Sequence, residues 1–424
     1  MNAPLAEPRT ILHVDMDAFF VACEVRRSPE LAGKAVIVGG TGNRGVVAAA
    51  SYEARRFGVR SAMPSTRARR LCPHAIVLPG DHELYGEVSR EVHDVFHSVT
   101  PIVEPISLDE AFLDVSGARR LLGGGRAIAE LIRQRIDERL GLACSVGVAP
   151  NKFLAKLASE AAKPTATPHR VLAGHGVVVV RPGEELAFLH PLPVQAMWGV
   201  GPATLERLRR LGVTTVGDLA ALPVDALVAS VGKASGTHLA ALARAVDDRP
   251  VVAERDTKSI GHEETFAHDM HERTEIDREV VRLADAVAAR LRAHGLAGRT
   301  VTMKVRFGDF HTITRSVTLA DHADTGPVLI AAARGVLETV DPAPGVRLLG
   351  LSVSALSAHP SRQLSLDGVA VEPGGTEWDD ASRTVDEIRR RFGDRSIGPA
   401  ALVHDATLRT LRRGAQQWGP NDEG

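Results

Sequence analysis

Two short acidic segments contain the residues with the clearest potential for chemistry. Asp15 ends an apolar run within VDMD at 14–17, and Asp109 and Glu110 stand together within SLDEAFLD at 107–114. Two unit charges about 4 Å apart repel by roughly 4 kcal/mol at an effective dielectric of 20. If the three carboxylates converge, divalent cations can remove that cost, and two such cations support phosphoryl transfer. Taken alone, an Asp-Glu pair at a hairpin is more often a solvated turn.

The flanking sequence predicts the elements that would bring these carboxylates together. Residues 10–15 are rich in β-branched and apolar residues, as is typical of a strand. IVEPIS at 102–107 and AFLDV at 111–115 predict two further strands, joined tightly at Leu-Asp-Glu. The other elements predicted in this half are strands over 35–40, 45–51, 75–80 and 142–149, and helices over 19–25, 52–57, 64–71, 82–98, 118–140 and 151–163. Strands that alternate with helices indicate an α/β region.

The second half has a different composition. Residues 183–250 predict short helices with Gly-rich turns, whereas 300–319 and 349–356 return to strand. A further helix is predicted over 383–392. A chain of 424 residues accommodates two to four domains.

Composition restricts the class of protein. Hydrophobic residues make up 44% of the chain but aromatics only 4%, so the cores must be aliphatic. No apolar run reaches the roughly 18 residues that cross a bilayer, and the N-terminus lacks the features of a secretory signal. The three cysteines include no CxxC pair, which fits a reducing cytoplasm. The net charge of −1 means that any attraction for nucleic acid must come from local patches, backbone amides and bound cations.

Four sequence blocks together resemble a known family. They are VDMDAFFVACE (14–24), SYEARRFGVRSAMP (51–64), SLDEAFLDV (107–115) and SVGVAPNKFLAKLASEAAKP (145–164). In order and spacing they are similar to the signature blocks of Y-family DNA polymerases, and most similar to the bacterial DNA polymerase IV, or DinB, branch. The resemblance extends over roughly residues 8–358.

The resemblance implies a multidomain α/β fold shaped like a right hand. It comprises a ferredoxin-like palm, small fingers, a helical thumb with a helix-hairpin-helix, and an α/β little finger. The expected ranges are 1–17 and 81–166 for the palm, 18–80 for the fingers, 167–250 for the thumb, 251–358 for the little finger and 359–424 for a tail.

The resemblance also implies roles at the acidic site. Asp15 and Asp109 would ligate two Mg²⁺ ions, or Mn²⁺, and Glu110 would ligate the catalytic ion. The backbone carbonyl of Met16 would complete the shell of the nucleotide-bound ion. Asp17 is expected to cap a helix or turn, and Asp114 to be structural.

The nucleotide pocket follows from the same resemblance. Tyr52, Arg55 and Lys163 match the positions that hold the triphosphate, and their hydrogen-bonding chemistry suits phosphate. Arg56 is expected to stay exposed. Ala49 departs from the family, which often carries a Thr near the phosphates. Outside the family context, Tyr52 and Arg55 would be an ordinary helix turn.

Phe20 matches the family's steric gate. A ring packed against the sugar C2′ leaves no room for a 2′-hydroxyl, so ribonucleotides would be rejected. Phe19 is expected to pack in the core, although from the residues alone both rings could be buried there.

Two segments are predicted to contact the DNA backbone. Gly199 and Gly201 lie in WGVGPAT at 198–204, which resembles a helix-hairpin-helix turn that offers backbone N–H groups to a phosphate. VTMKVRF at 301–307 alternates apolar with polar residues, and its neighbour ITRSVTL at 313–319 adds further polar residues. The predicted contacts on these strands are Lys304, Arg306 and Arg315. A plain helix–helix turn and a solvated sheet face are the alternatives.

Gln363, Leu364 and Leu366 lie in QLSL, which resembles the peptide that docks on the bacterial sliding clamp. Asp367 stands where a Phe usually follows, and an ordinary linker is the alternative. The other expected partners are primer-template DNA and dNTPs, with the protein as a monomer.

The sequence thus predicts a template-directed, low-fidelity translesion DNA polymerase without a proofreading exonuclease. The first alternative is a catalytically inactive scaffold bound to DNA and the clamp, which the presence of all three carboxylates disfavours. The second is a different two-metal enzyme, such as a nucleotide cyclase-like palm. That alternative leaves the helix-hairpin-helix and the basic strand face unexplained.

Overall fold

Two α/β units, a smaller three-stranded unit and a helical segment make up the part of the chain that the structure describes. The structure is a computed structural model and describes residues 8–358, 376–404 and 407–408. The predicted clamp peptide at 363–366 lies outside these residues. Among the described residues, no helix is both long and apolar enough to cross a membrane.

The helices and strands have the following bounds. The helices are α1 (Phe19–Arg27), α2 (Tyr52–Arg55), α3 (Ser65–Leu71), α4 (His82–His97), α5 (Arg119–Leu122), α6 (Gly125–Leu140), α7 (Lys152–Ala162), α8 (Glu185–Leu189), α9 (Pro202–Arg210), α10 (Val216–Ala221), α11 (Val224–Val231), α12 (Lys233–Leu242), α13 (Arg273–Ala293), α14 (Gly326–Leu337) and α15 (Thr376–Phe392). The strands are β1 (Ile11–Met16), β2 (Val36–Gly39), β3 (Val47–Ala50), β4 (Ile76–Leu78), β5 (Val103–Pro105), β6 (Glu110–Asp114), β7 (Cys144–Ala149), β8 (Thr165–Ala166), β9 (Val171–Leu172), β10 (Val177–Val179), β11 (Ser259–Met270), β12 (Ala297–Phe307), β13 (Thr312–Ala323), β14 (Val346–Ser357), β15 (Val403–His404) and β16 (Thr407–Leu408).

The largest unit of the first half is a five-stranded sheet in the order β10-β7-β1-β6-β5. The central strand β1 pairs antiparallel with both β6 and β7, and all six of its residues are buried. Helices cover both faces, which explains the absence of polar alternation in β1. Leu12 and Val14 pack in the core with α4 and α6, whereas Ile11 packs in the core with α7. Because successive side chains alternate between faces, Asp15 lies on the face that α7 covers.

Helix α7 begins at a side-chain cap and packs tightly against the sheet. The Asn151 side chain accepts a hydrogen bond from the Leu154 backbone N–H at 2.9 Å, and the helix ends before Pro164. Gly147 in β7 permits the close approach, because a Cβ there would lie 1.9 Å from the Ala155 carbonyl oxygen. The helix therefore holds its side chains over β1 and β6.

A three-stranded sheet in the order β3-β2-β4 forms a small separate unit with α2 and α3. β2 and β3 pair antiparallel, and they lie within the strands predicted over 35–40 and 45–51. Its core consists of small residues and a few larger ones, namely Ala35, Ile37, Val47, Ala50, Ala54, Val59, Ala68 and Cys72.

The last sheet has the order β11-β14-β12-β13 and is covered by α13 and α14. Val301, Met303, Val305 and Phe307 are buried against these helices, so the alternation predicted for 301–307 is confirmed. Helix α15 docks on the outer side of α13 through a two-pronged ion pair between Arg292 and Asp386.

Three sequence predictions need correction. Residues 177–179 were assigned to the thumb, but β10 pairs in parallel with β7 and so extends the first sheet. The single helix predicted over 118–140 is interrupted because Gly123 adopts a φ of 92°. The tail helix predicted over 383–392 begins earlier, at Thr376.

Candidate active site

The register of the first sheet brings the three predicted carboxylates together. Asp15 is the direct partner of Glu110 across β1 and β6, and the Met16 backbone N–H donates to the Asp109 carbonyl at 3.0 Å. The hairpin of β5 and β6 therefore delivers Asp109 and Glu110 to the end of β1. Asp15 is buried, and Asp109 and Glu110 are half-buried. The three acids therefore share one partly buried site and do not form a solvated turn.

The site creates very different electrostatic environments for its acids. Burial raises the pKa of Asp15 to about 7, against the opposing effect of Lys163. Burial likewise raises the pKa of Asp109, although a hydrogen bond from Ser107 opposes this. Burial also acts to raise the pKa of Glu110, but contacts with His13 and Lys156 outweigh it and lower that pKa to about 2. Asp15 and Asp109 therefore hold their protons to higher pH than free aspartates do, whereas Glu110 is ionised at neutral pH.

Asp17 differs from its expected role. Its carboxylate accepts hydrogen bonds from Ser145 Oγ at 3.0 Å and Tyr52 Oη at 3.2 Å. Ala18, not Asp17, occupies the N-cap of α1, with a left-handed φ of 49° and no side-chain cap. The prediction that Asp17 caps a helix is therefore wrong, because its Oδ1 atom accepts from both Ser145 and Tyr52 instead. Asp114 is structural as predicted, since it accepts from the Ser116 backbone N–H.

The structure adds two residues that sequence reasoning missed. The Lys156 ammonium lies 2.5 Å from Glu110 Oε2, and His13 Nε2 lies 3.3 Å from the same oxygen. Burial lowers the pKa of His13 to about 4, so its imidazole is neutral at physiological pH. A sequence signal existed for Lys156, because it stands two helical turns before Lys163 within the same block.

The predicted triphosphate ligands gather at one side of the acids. Lys163 Nζ lies 2.8 Å from Asp15 Oδ2. Burial acts to lower the pKa of this lysine, but Asp15 and Glu160 together outweigh it and raise that pKa. The Arg55 guanidinium lies over the Tyr52 ring, 4.6 Å from its centroid. Tyr52 in turn reaches the site through Asp17. Arg56 was predicted to be exposed but is half-buried, and it donates to the carbonyls of Pro168 and His169.

The two neighbouring phenylalanines occupy different environments. Phe19 is buried in the main core, as predicted. Phe20 is only partly buried, and its ring stacks on Tyr85 with centroids 4.3 Å apart. The His82 ring meets the Phe20 ring edge-on. Two neighbouring rings therefore hold Phe20 in place at the start of α1, shortly after Asp15 in the chain.

The donor set suits hard divalent cations. Oxygen and nitrogen atoms of His13, Asp15 and Glu110 lie within 4.8 Å of one another, and Asp109 adjoins them through the backbone contact with Met16. Mg²⁺ and Mn²⁺ prefer carboxylate and carbonyl oxygens. His13 is fully buried beneath Lys156, so the three carboxylates and the Met16 carbonyl are the fitting ligands.

The residues predicted to contact DNA lie in two segments, and one of them is on a different face from its neighbours. Gly199 adopts a φ of 94°, and Gly201 caps α9 without a side chain, so backbone N–H groups are accessible there. Lys304 and Arg306 lie on the open face of the last sheet, where Lys304 contacts Glu263 at 2.7 Å. Arg315 pairs with Met303 and so lies on the opposite face, which removes it from this set.

Comparisons with known proteins agree with this geometry. Residues 14–160 match the impB/mucB/samB family, residues 257–366 match that family's C-terminal domain, and residues 182–213 match the IMS family HHH motif. A DNA polymerase IV from Streptomyces coelicolor is 50% identical over 84% of this chain and 72% of its own length. Another from Desulfatibacillum aliphaticivorans is 43% identical over 95% of this chain and 99% of its own.

Solved structures show the same architecture. A Y-family DNA polymerase chimera, Dbh-Dpo4(243-245)-Dbh, superposes with a TM-score of 0.71 at 26% identity, covering 82% of this chain and 98% of the other. An insertion ternary complex of Dbh DNA polymerase gives a TM-score of 0.59 at 26% identity, covering 81% and 98%. The chain belongs to the impB/mucB/samB family and is a Y-family DNA polymerase of the bacterial DNA polymerase IV branch.

Proposed function

We propose that this chain is a low-fidelity translesion polymerase that adds dNTPs to a primer 3′ end by two-metal phosphoryl transfer at Asp15, Asp109 and Glu110. The observation that carries the proposal is the convergence of these acids through the Asp15–Glu110 register and the Met16–Asp109 hydrogen bond. Two bound divalent cations, Mg²⁺ or Mn²⁺, would neutralise charge on the attacking and leaving oxygens. Asp15 and Asp109 would hold both ions, while Glu110 and the Met16 carbonyl would each complete one shell.

The nucleotide would bind beside this site. Lys163 would exchange its contact with Asp15 for a phosphate oxygen, and Arg55 would offer its planar fork to the triphosphate. Tyr52 is already oriented by Asp17 and would donate one further hydrogen bond. Phe20, supported by Tyr85, would exclude a 2′-hydroxyl.

The primer-template would lie between the helical segment and the last sheet. The backbone amides around Gly199 and Gly201 suit a phosphate, and Lys304 and Arg306 suit the DNA backbone without reading sequence. A small three-stranded fingers unit would cover little of a nascent base pair and so would tolerate distorted templates. A relative described as an insertion ternary complex supports DNA and nucleotide as partners. We also propose that the chain acts as a monomer.

Primer dependence separates this proposal from other two-metal enzymes. A labelled primer on a longer template, with Mg²⁺ and single dNTPs, should be extended only by the dNTP complementary to the template. Product formed from nucleotide alone would favour a cyclase-like activity. DNA binding without extension by well-folded protein would favour the scaffold alternative.

The segment QLSL at 363–366 is proposed to bind the sliding clamp through Gln363, Leu364 and Leu366. The model for the C-terminal domain matches through residue 366 and so includes it. Replacing both leucines by alanine should abolish co-migration with a purified bacterial clamp while leaving extension without the clamp unchanged.

A further inference from the structure

Lys156 is a charged residue beside the catalytic carboxylates that has no part in the proposed chemistry so far. Its ammonium lies 2.5 Å from Glu110 Oε2, and both side chains are half-buried. His13 Nε2 approaches the same oxygen at 3.3 Å. Among the described residues, no hydrogen bond or ion pair reaches the other oxygen, Oε1. One oxygen of Glu110 is therefore held by the protein, and the other is available to a ligand.

The contacts behind Lys156 join it to two buried side chains. Ser159 Oγ lies 2.8 Å from the Lys156 carbonyl oxygen and 2.7 Å from His13 Nδ1. His13 Nε2 lies 3.4 Å from Lys156 Nζ and 3.3 Å from Glu110 Oε2. His13 therefore contacts both members of the Lys156–Glu110 pair from the buried side.

Trp198 of the helical segment covers Lys156 from the other side. The Lys156 ammonium lies 5.8 Å from the centroid of the indole, and the Arg249 guanidinium lies 5.5 Å from it. Both distances fall within the range of cation–π attraction. The Phe112 ring lies next to this group, with its centroid 6.4 Å from that of the Trp198 ring. The side chain of Lys156 is thus restrained from below by His13 and from above by Trp198.

Lys156 differs in this respect from the other lysine of the site. Lys163 pairs with Asp15 but also with the exposed Glu160, an arrangement that leaves it able to move to a phosphate. Lys156 contacts a single carboxylate and is packed against two rigid rings. A fixed cation of this kind orients a metal ligand in the way that outer-shell partners do elsewhere.

We propose that Lys156, held by His13 and covered by Trp198, is a positioning residue that fixes Glu110 with Oε1 presented to the catalytic cation. The inference rests on the proposed two-metal function. It assigns His13 to the support of Lys156 and not to metal binding. It also makes Trp198 the link through which the thumb segment reaches the catalytic carboxylate.

The sign of the change in metal affinity tests the proposal. A lysine that acted only as a counter-ion would compete with the cation, so its removal would tighten binding. Loss of a positioning residue should instead weaken binding, by about 10-fold or more. Mn²⁺ binding is measured by the electron paramagnetic resonance of the free ion, with protein, a dideoxy-terminated primer-template and the next dNTP.

Lys156→Met is the test variant, Lys156→Arg the conservative one and Lys34→Met the control at an exposed position. We expect weaker Mn²⁺ binding and a lower single-turnover rate at saturating dNTP for Lys156→Met, with the KM for dNTP unchanged. Lys156→Arg should recover most of both losses. Equal or tighter Mn²⁺ binding by a folded Lys156→Met variant would overturn the proposal.

A second pair of variants tests the contribution of the thumb segment. Trp198→Ala should show the same pattern as Lys156→Met to a smaller degree, whereas Trp378→Ala should match wild type. These two tryptophans are similarly exposed, at 45% and 48%. If Trp198→Ala changes only DNA affinity, its link to Glu110 is wrong. Wild-type protein that neither extends primers nor binds Mn²⁺ would overturn the proposed function and this inference together.

Discussion

Asp15 and Glu110 face each other across two strands yet hold their protons very differently. The pKa of Asp15 is raised to about 7 by burial, whereas that of Glu110 is lowered to about 2 by its contacts with His13 and Lys156. For an acid whose folded pKa exceeds its unfolded value, stability falls as pH rises from about 4 to about 7. Asp15 therefore lowers the stability of the metal-free protein at neutral pH, and cation binding would offset this loss.

The raised pKa of Asp15 predicts a pH-dependent affinity for Mg²⁺. Below about pH 7 the cation must displace a proton, so affinity should rise towards neutrality and then level off. Calorimetric titration in buffers of different ionisation enthalpy should detect a proton released near pH 6 and little release near pH 8. The release should disappear in Asp15→Asn. Affinity that is constant over this pH range would contradict the assignment.

Phe20 provides a second prediction at the residue scale. Its ring is fixed against Tyr85, so a smaller side chain should open space beside the sugar. Phe20→Leu should raise the relative kcat/KM for ribonucleotides by roughly 10–100-fold, the range that small changes in a hydrophobic pocket produce. Phe57→Leu, at an exposed ring of the fingers, is the matched control. Unchanged discrimination in Phe20→Leu would mean that another group performs the selection.

At the scale of single elements, α7 positions both lysines of the site. It supplies Lys156 and leads into Lys163, and its distance from the sheet is set at Gly147. A Cβ at this position would collide with helix backbone, which cannot move aside as a flexible side chain could. The helix would have to shift, and both lysines would shift with it.

Gly147→Ala should therefore destabilise the protein by about 1–3 kcal/mol or more and slow nucleotide addition. Gly86→Ala is the control, because that glycine lies inside α4 with nothing within 4 Å of its added Cβ. It should be neutral or stabilising by about 0.5–1 kcal/mol. Urea unfolding measures both variants. Equal stability in the two would show that β7 and α7 are less closely packed than described.

The same elements show what the sequence could and could not predict. Local patterns predicted the hairpin that delivers Asp109 and Glu110, and alternation predicted the buried face at 301–307. Such local patterns carry no information on which distant segments pair with each other. The association of β10 with β7, the face of Arg315 and the contact of Lys156 with Glu110 all depend on tertiary packing. The role of Asp17 was missed because its partner Ser145 is distant in sequence.

Across the whole molecule, the segment that joins the thumb to the last sheet is anchored on the palm. Glu104 is buried and accepts from Lys152 Nζ at 2.5 Å and from the Val252 backbone N–H at 2.9 Å. Arg255 forms a third contact with the same carboxylate. Nearby, Asp247 accepts from the Phe153 backbone N–H at the start of α7. These contacts hold the connecting segment beside the catalytic unit.

Removing the buried lysine should therefore have a large effect. Lys152→Met leaves the Glu104 charge buried with one fewer partner, which should cost about 3–5 kcal/mol of unfolding free energy. Arg126→Met breaks an exposed pair with Glu130 and should cost less than about 1 kcal/mol. Denaturant unfolding compares the two. Similar small losses would show that Glu104 is adequately paired without Lys152.

The most direct test of the two-metal account is single-turnover nucleotide incorporation by isosteric variants of the acids. Asp109→Asn keeps the shape of a metal ligand but removes its charge, and Asp114→Asn makes the same change at the far end of β6. The account predicts a loss of at least about 1,000-fold for Asp109→Asn, since several kcal/mol of charge stabilisation disappear. Asp114→Asn should retain near-normal incorporation. Comparable activity in Asp109→Asn and wild type would contradict the account and place the chemistry elsewhere.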